Sequence, residues 1–366
     1  MSRFRPSYLP RIQALEYHSY SEYKTVIDSS GSPGLSRALK GDADWGFLGF
    51  VQPSEFGKIN PATDNLDFSN DNLRSVISVG GTNEYGDPPW MKFMFDGKVL
   101  FVPLKPLSRS TSWNEIYDAG CVYGTGDQGI LPPNGRAGHE IQITANNKVT
   151  NTSGDNLADP GDRIGWQHPD ATIGVATDTL VMAGWANAAN NGTFEITAID
   201  DEEITLDTAA LVNESDNLEA RIWNQADEVD QDTEVTIGTH TYRVRLLRGA
   251  AADPSNYASN RGAQGADNEW VHLIMSMHAG ASIGFTYSYH DSAHVQDWNI
   301  GLTDADLITH HDYGLGGYSW TQEVRGDAQS YRRLCWGASG ASHVSTLNSW
   351  NAGTAYGFRP ALELIP

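Results

Sequence analysis

Apolar and polar positions change rhythm along this chain, and the changes mark its elements. From Pro89, "WMKFMFDGKVLFVPL" holds two nearly continuous apolar runs around Asp96-Gly97. That dipeptide tolerates the positive φ angles of a tight type I′ turn, so a β-hairpin is predicted. "STSWNEIYDAGCVYG" then switches to helical spacing: Ser112 and Glu115 have capping-box separation, Trp113, Ile116 and Tyr117 share a face, and Gly120 supplies a stop. In "NNGTFEITAIDDEEITLDTAAL", Phe194, Ile196 and Ala198 alternate with Thr193, Glu195 and Thr197. This predicts a second hairpin that turns at Asp200-Asp201 and returns through Ile204 to Leu206. "VTIGTHTYRVRLLRG" alternates Tyr242, Val244 and Leu246 with Arg243, Arg245 and Leu247 after a Gly238-Thr239 turn. "NEWVHLIMSMHAG" sets Trp270, Leu273, Ile274 and Met277 at i, i+3, i+4 and i+7, the buried face of a helix capped by Asp267 or Asn268.

Elsewhere the rhythm is weak. Residues 1–75 read as irregular, with loops at "SSGSPG" and "INPATDN", yet they keep Tyr17, Tyr20, Tyr23, Trp45, Phe47, Phe50 and Phe56. Disordered chains are poor in aromatics, so this segment is predicted to dock as an extended arm. Residues 280–366 read as loops with brief strands, a length of loop that usually serves function. The fold class predicted is α+β, predominantly β. An arm (1–75) precedes a discontinuous main domain (76–136 plus 231–366), which an all-β domain (137–230) interrupts.

Composition sharpens this division. The 366 residues exceed one ordinary domain, and 37 Gly with 16 Pro favour a turn-rich β protein over a helical bundle. Net charge is −22, and residues 151–232 alone hold 18 acidic against 2 basic side chains, which marks the inserted segment as a separate acidic unit. Such charge speaks against nucleic acid and anionic membranes as partners, because phosphate binding runs on clustered Lys and Arg. No signal-like apolar core and no run of about 18 apolar residues occurs, so a soluble, cytoplasmically made protein without membrane insertion is the expectation. Cys121 and Cys335 match neither a metal spacing nor a disulfide framework and read as buried free thiols.

Candidate chemistry is sparse. "YHDSAH" (His290, Asp291, His294) and "THHDYG" (His310, His311, Asp312) offer metal-ligating residue types, but neither lies on a predicted helix that would aim two imidazoles at one ion. No metal and no cofactor is therefore predicted. The sequence lacks a Gly-X-Ser-X-Gly elbow and both common phosphate loops, and no catalytic residue is assigned. Near the C-terminus aromatic residues mix with short polar ones. Trp336, Ser339, Ser342, His343, Asn348, Trp350, Asn351 and Tyr356 are the candidate ligand-binding residues, since aromatic faces beside small hydrogen-bonding groups suit recognition, while Trp320 reads as core.

A family resemblance follows from several of these stretches. "GDADWGFLGFVQPSEF" (41–56), "PWMKFMFDGKVLFVPLKPLSRSTSWNEIYDAGCVYG" (89–124), "HTYRVRLLRGA" (240–250), "NEWVHLIMSMHA" (268–279), "YSWTQE" (318–323) and "GFRPALEL" (357–364) resemble, in this order, a module of tailed-bacteriophage virion proteins. The acidic segment around 160–222 looks like a small β domain that phage structural proteins carry as an insertion. The closing part, "RRLCWGASG" to "GFRPALEL", is similar to the end of C-type-lectin-like folds. Those usually show Arg-Gly-Gly-Ser before a variable loop, where this chain has Cys335, Trp336, Gly337 and Ala338. Oxidases of that fold use two neighbouring cysteines, and only Cys335 is present, so their chemistry is not carried over.

The resemblance implies a non-enzymatic protein of the virion, tail- or fibre-type, that binds other virion proteins, forms a homo-oligomer such as a trimer, and contacts a host surface glycan or protein through the loop 336–356. Arg359 is expected to anchor the last strand by a buried ion pair or by carbonyl contacts. A capsid decoration or head-fibre protein without a receptor role, and a tail hydrolase acting on polysaccharide, are the alternatives.

Overall fold

The structure is a computed structural model that describes residues 26–60, 66–83, 85–127, 129, 141–151, 179–199, 203–215, 221–224, 229–250, 268–279, 298–310, 316–324, 332–337, 340–341, 343–348 and 351–366. Strands hold 41% of the described residues and helices 15%, a β-rich α+β composition.

The apolar runs of the sequence become the middle of a nine-stranded sheet. Its spatial order is Lys40–Gly41, Trp45–Val51, Trp90–Phe95, Lys98–Pro103, Pro360–Leu364, His240–Leu246, Glu234–Ile237, Lys58–Ile59 and Leu66–Asp67. The predicted hairpin forms at Asp96-Gly97, where both residues have positive φ (51° and 71°), as a type I′ turn requires. Continuous apolar runs are the mark of strands buried on both faces. One face packs Trp90, Met94, Phe101, Tyr242, Val244 and Leu362; the other packs Phe47, Phe93, Phe95, Leu100 and Val102. The last strand lies inside this sheet, pairing Leu362 with Phe101 on one side and with Val244 on the other. The chain therefore closes its own core with its final residues.

The irregular reading of residues 1–75 is corrected for the described part. Trp45–Val51 is an interior strand, paired along its length with Trp90–Phe95 and interrupted by a bulge at Gly49. Asn70–Val76 is a helix whose Ser69 hydroxyl accepts the Asn72 N–H. Two glycines inside "WGFLGFV" blurred the apolar run in the sequence. Ahead of it, a buried ion pair of 2.6 Å joins Asp28 to Lys92 of the large sheet. Ser30 and Ser32 hydroxyls also donate to the Asp28 carboxylate (2.5 and 2.7 Å). Against the upward pull of burial, these bonds hold its carboxyl at about 2.

The helix Trp113–Asp118 forms with its capping box between Ser112 and Glu115, and Gly120 (φ 68°) ends it. The stretch after Asn268 is capped as predicted, with the Asn268 side chain accepting the Val271 N–H (3.1 Å). It differs in form, however: Trp270–Ile274 is a π-helical turn that runs into 3₁₀ at Met275–Met277. Val271, His272, Met275 and Ser276 are buried along with the predicted stripe, so the segment is wrapped by the core on every side and no exposed face keeps it in α-helical register.

A second sheet of six antiparallel strands comes wholly from the acidic segment, in the order Arg221–Asn224, Thr179–Ala183, Gly192–Ile199, Glu203–Leu206, Lys148–Asn151 and Ile141–Ala145. Its core is its own: Ile143, Val149, Leu180, Met182, Trp185, Ile196, Ile204, Leu206 and Leu211. Where the chain leaves the first unit and returns to it, buried Gln231 ties the two stems together. Its Oε1 accepts the Val122 N–H (3.0 Å), and its Nε2 donates to Tyr117 and Val229 carbonyls (3.0 and 2.9 Å). The turn predicted at Asp200-Asp201 lies outside the described residues.

Candidate functional site

A third sheet carries the region singled out for recognition. Its order is Val344–Asn348, Arg332–Trp336, Gly316–Val324, Tyr356–Phe358 and Ser108–Arg109, with Gly316–Val324 and Tyr356–Phe358 parallel. Its central strands are buried on both faces over most of their length. Trp320 is buried, and its indole N–H donates to the Thr111 carbonyl (2.8 Å). Tyr318, two residues earlier on the same face, reaches the sheet margin and is half-buried.

Trp336 is not at the surface, which corrects its assignment as a contact residue. It is 1% exposed, stacks on Trp270 at 5.9 Å, and its indole N–H donates to the Gly249 carbonyl (3.1 Å). Strand alternation turns it inward with Leu334, a placement that a reading of 336–356 as one loop missed. His343 and Tyr356 are half-buried and do meet, through Tyr318: the Tyr318 ring stacks on Tyr356 (5.8 Å, 27°) and lies 6.3 Å from His343. Asn351 is half-buried in the segment leading to Tyr356, and Asn348 pairs with Arg332 at the end of its strand. Ser339, Ser342 and Trp350 lie outside the described residues, as do His290, His294, His311 and Asp312. Tyr318 is the residue the site assignment omitted; its i, i+2 relation to Trp320 on an apolar-alternating strand was the available signal.

The turn between the Arg332–Trp336 and Val344–Asn348 strands is pinned in place. Ala341 donates its N–H to Asp304 (2.7 Å) and accepts the Trp270 indole N–H at its carbonyl (2.8 Å). Gly337 has φ 107°, and a Cβ there would come within 3.0 Å of the Gly317 carbonyl oxygen, so the bend requires glycine. His278 faces Asp304 across 3.4 Å from the other side.

The corner of Tyr318, His343 and Tyr356 offers ring faces and edges, one hydroxyl on each tyrosine, and an imidazole. Burial lowers the His343 pKa, favouring the neutral ring, and burial together with nearby Cys335 raises that of Tyr356. These groups suit stacking and hydrogen bonding more than proton transfer. Both thiols are buried: desolvation pushes Cys121 up to about 12 and Cys335 well above the ordinary thiol value, so neither supplies a thiolate. Among the described residues no three His, Cys, Asp or Glu side chains converge as a metal site, and no helix is long and apolar enough to cross a membrane.

Arg359 anchors the junction between the third sheet and the last strand. It is 1% exposed and uses carbonyls as partners, donating from Nη2 to Leu104 (3.2 Å) and to Leu307. Its guanidinium lies over the Trp270 ring at 5.2 Å. Of the two anchors expected from the sequence, carbonyl contacts are the one found. No family model matches the chain, and no curated protein or solved structure matches it either.

Proposed function

We propose that this chain is a non-enzymatic surface component of a tailed-phage particle, tail- or fibre-type, with a C-type-lectin-like main domain and an inserted acidic β domain. It works by adhesion: it assembles with other virion proteins, self-associates, and contacts the host surface with its C-terminal sheet margin. The observation that carries this reading is the ordered set of segments resembling phage virion modules. Four of them, at 41–56, 89–124, 240–250 and 357–364, supply neighbouring strands of one sheet although the acidic insertion separates them in sequence. The half-buried Tyr318, His343 and Tyr356 corner supports the adhesive part, because aromatic rings supply contact area at low entropic cost.

Antibody labelling of intact particles tests the location, with label at the tail or its fibres as the expected result; label spread over the capsid favours a decoration role, and absence from particles ends the proposal. Host adsorption of the purified chain tests the contact. A Tyr318→Ser, Tyr356→Ser double variant should retain its fold and lose most adsorption, whereas undiminished adsorption removes the corner from the reading.

A further inference from the structure

The junction anchored by Arg359 has an electrostatic imbalance. Lys105 and Arg359 both approach the turn Asp304–Leu307: Lys105 Nζ donates to the carbonyls of Ala305 and of Ile308 (3.1 Å), and Arg359 Nη2 to those of Leu104 (3.2 Å) and Leu307. Both cations thus reach carbonyls of the same short segment, and the Arg359 charge acts on Lys105. Among the described residues, no carboxylate forms an ion pair with either. The nearby Asp306 carboxylate accepts from the Thr303 N–H (2.8 Å) and hydroxyl (2.7 Å) in a capping box. Arg359 feels the charge of Tyr85, and Lys105 that of Asp306.

Arg359 also has unused donors. Its Nε and Nη1 are buried without a hydrogen-bond partner, which leaves three of the five guanidinium N–H bonds unsatisfied. Lys105 keeps one N–H beyond its two carbonyl bonds. A buried cation with unsatisfied donors is costly, and cations of this kind are normally paired. Burial and the Arg359 charge push the Lys105 ammonium down to about 8 against the opposing pull of Asp306, and burial pushes Arg359 down to about 9. Water would satisfy the donors but leave the charge.

We infer that Lys105 and Arg359 form a binding site for a small oxyanion of the phosphate or sulfate class, which accepts the free N–H groups of both side chains. A tetrahedral oxyanion presents several acceptors at once, where Arg359 has three N–H bonds without one. Occupancy would lock Leu104–Lys105, the Asp304–Leu307 turn and the last strand together, and it would stabilise the folded chain by mass action.

Thermal melting of the full chain, with chloride replaced stepwise by inorganic phosphate at constant ionic strength and pH 7, tests this. The expected result is a midpoint that rises and then saturates. Lys105→Gln should weaken the phosphate response about tenfold or more, and Lys105→Arg should retain it. Calorimetric titration with phosphate should give saturable heat for the unmodified chain. A response that is absent, or that grows without saturation and equally in Lys105→Gln, overturns the site. If Lys105→Gln does not fold, the Lys105→Arg variant and the calorimetry of the unmodified chain decide: no saturable heat in either rejects the proposal.

Discussion

The nine-stranded sheet and the acidic six-stranded sheet solve one problem, burying apolar strand faces, in different ways. The acidic sheet draws all its strands from residues 141–224 and keeps charge out of its core. Three of its pairings join strands that follow one another in sequence, and one face stays open to polar residues such as Thr193, Glu195 and Thr197. The nine-stranded sheet gathers strands from residue 40 to residue 364, is covered on both faces, and places charged groups inside. Arg245 there meets Glu269 through two bonds of 2.7 Å and Glu363 at 2.9 Å. Local pairing gives independence, whereas distant pairing needs anchors, and in this chain those anchors are buried ion pairs, Gln231 and Arg359.

Breaking an anchor should therefore cost as much as trimming the core of the large unit. Glu269→Ala leaves the Arg245 guanidinium buried with only Glu363, and we expect a loss of about 3–5 kcal/mol in urea unfolding of the large unit. Trp336→Ala removes a buried indole and one of the two donors to the Gly249 carbonyl, the other being the Asn268 amide; a loss of about 3–5 kcal/mol is expected, which distinguishes a core role from the surface role its sequence suggested. Ile204→Ala should cost about 2–5 kcal/mol but confine the damage to the acidic sheet, leaving the near-ultraviolet signal of the larger unit's tryptophans at its original midpoint. If both units melt together in that variant, the independence drawn from their separate cores is wrong.

Asp28 sharpens the comparison through pH. Its carboxyl is depressed to about 2, so its contribution is fully present above the unfolded value near 4 and is lost as the pH falls towards 2. That depression corresponds to roughly 2–3 kcal/mol, and a titration of stability from pH 5 to about pH 2 should show that decline in the native chain and lack it in Asp28→Asn. The smallest stability effect is expected for Tyr356→Ser, about 1 kcal/mol, since its ring is only half-buried and its loss removes stacking on Tyr318.

Particular residues show how much was legible beforehand. The Asp96-Gly97 hairpin, the Ser112–Glu115 capping box, the Asn268 cap and the alternation of Tyr242, Val244 and Leu246 were readable because each depends on neighbours within a few residues. Trp45–Val51 was not, since its glycines interrupt the apolar run and only its pairing with Trp90–Phe95 shows it to be interior. The candidate site was legible in part: His343 and Tyr356 both lie against Tyr318, and Trp336 turns away into the core.

By itself the sequence determined the β-rich class, the acidic insertion as a unit and the local turns and caps, because φ preferences, capping bonds and side-chain alternation act over short spans. Tertiary structure alone decided which strands lie side by side, that the last strand sits within the large sheet, and that Lys92, Arg245 and Arg359 are buried. Those outcomes depend on which distant groups arrive to cover an apolar face or satisfy a charge, and no local pattern of residues encodes that arrival.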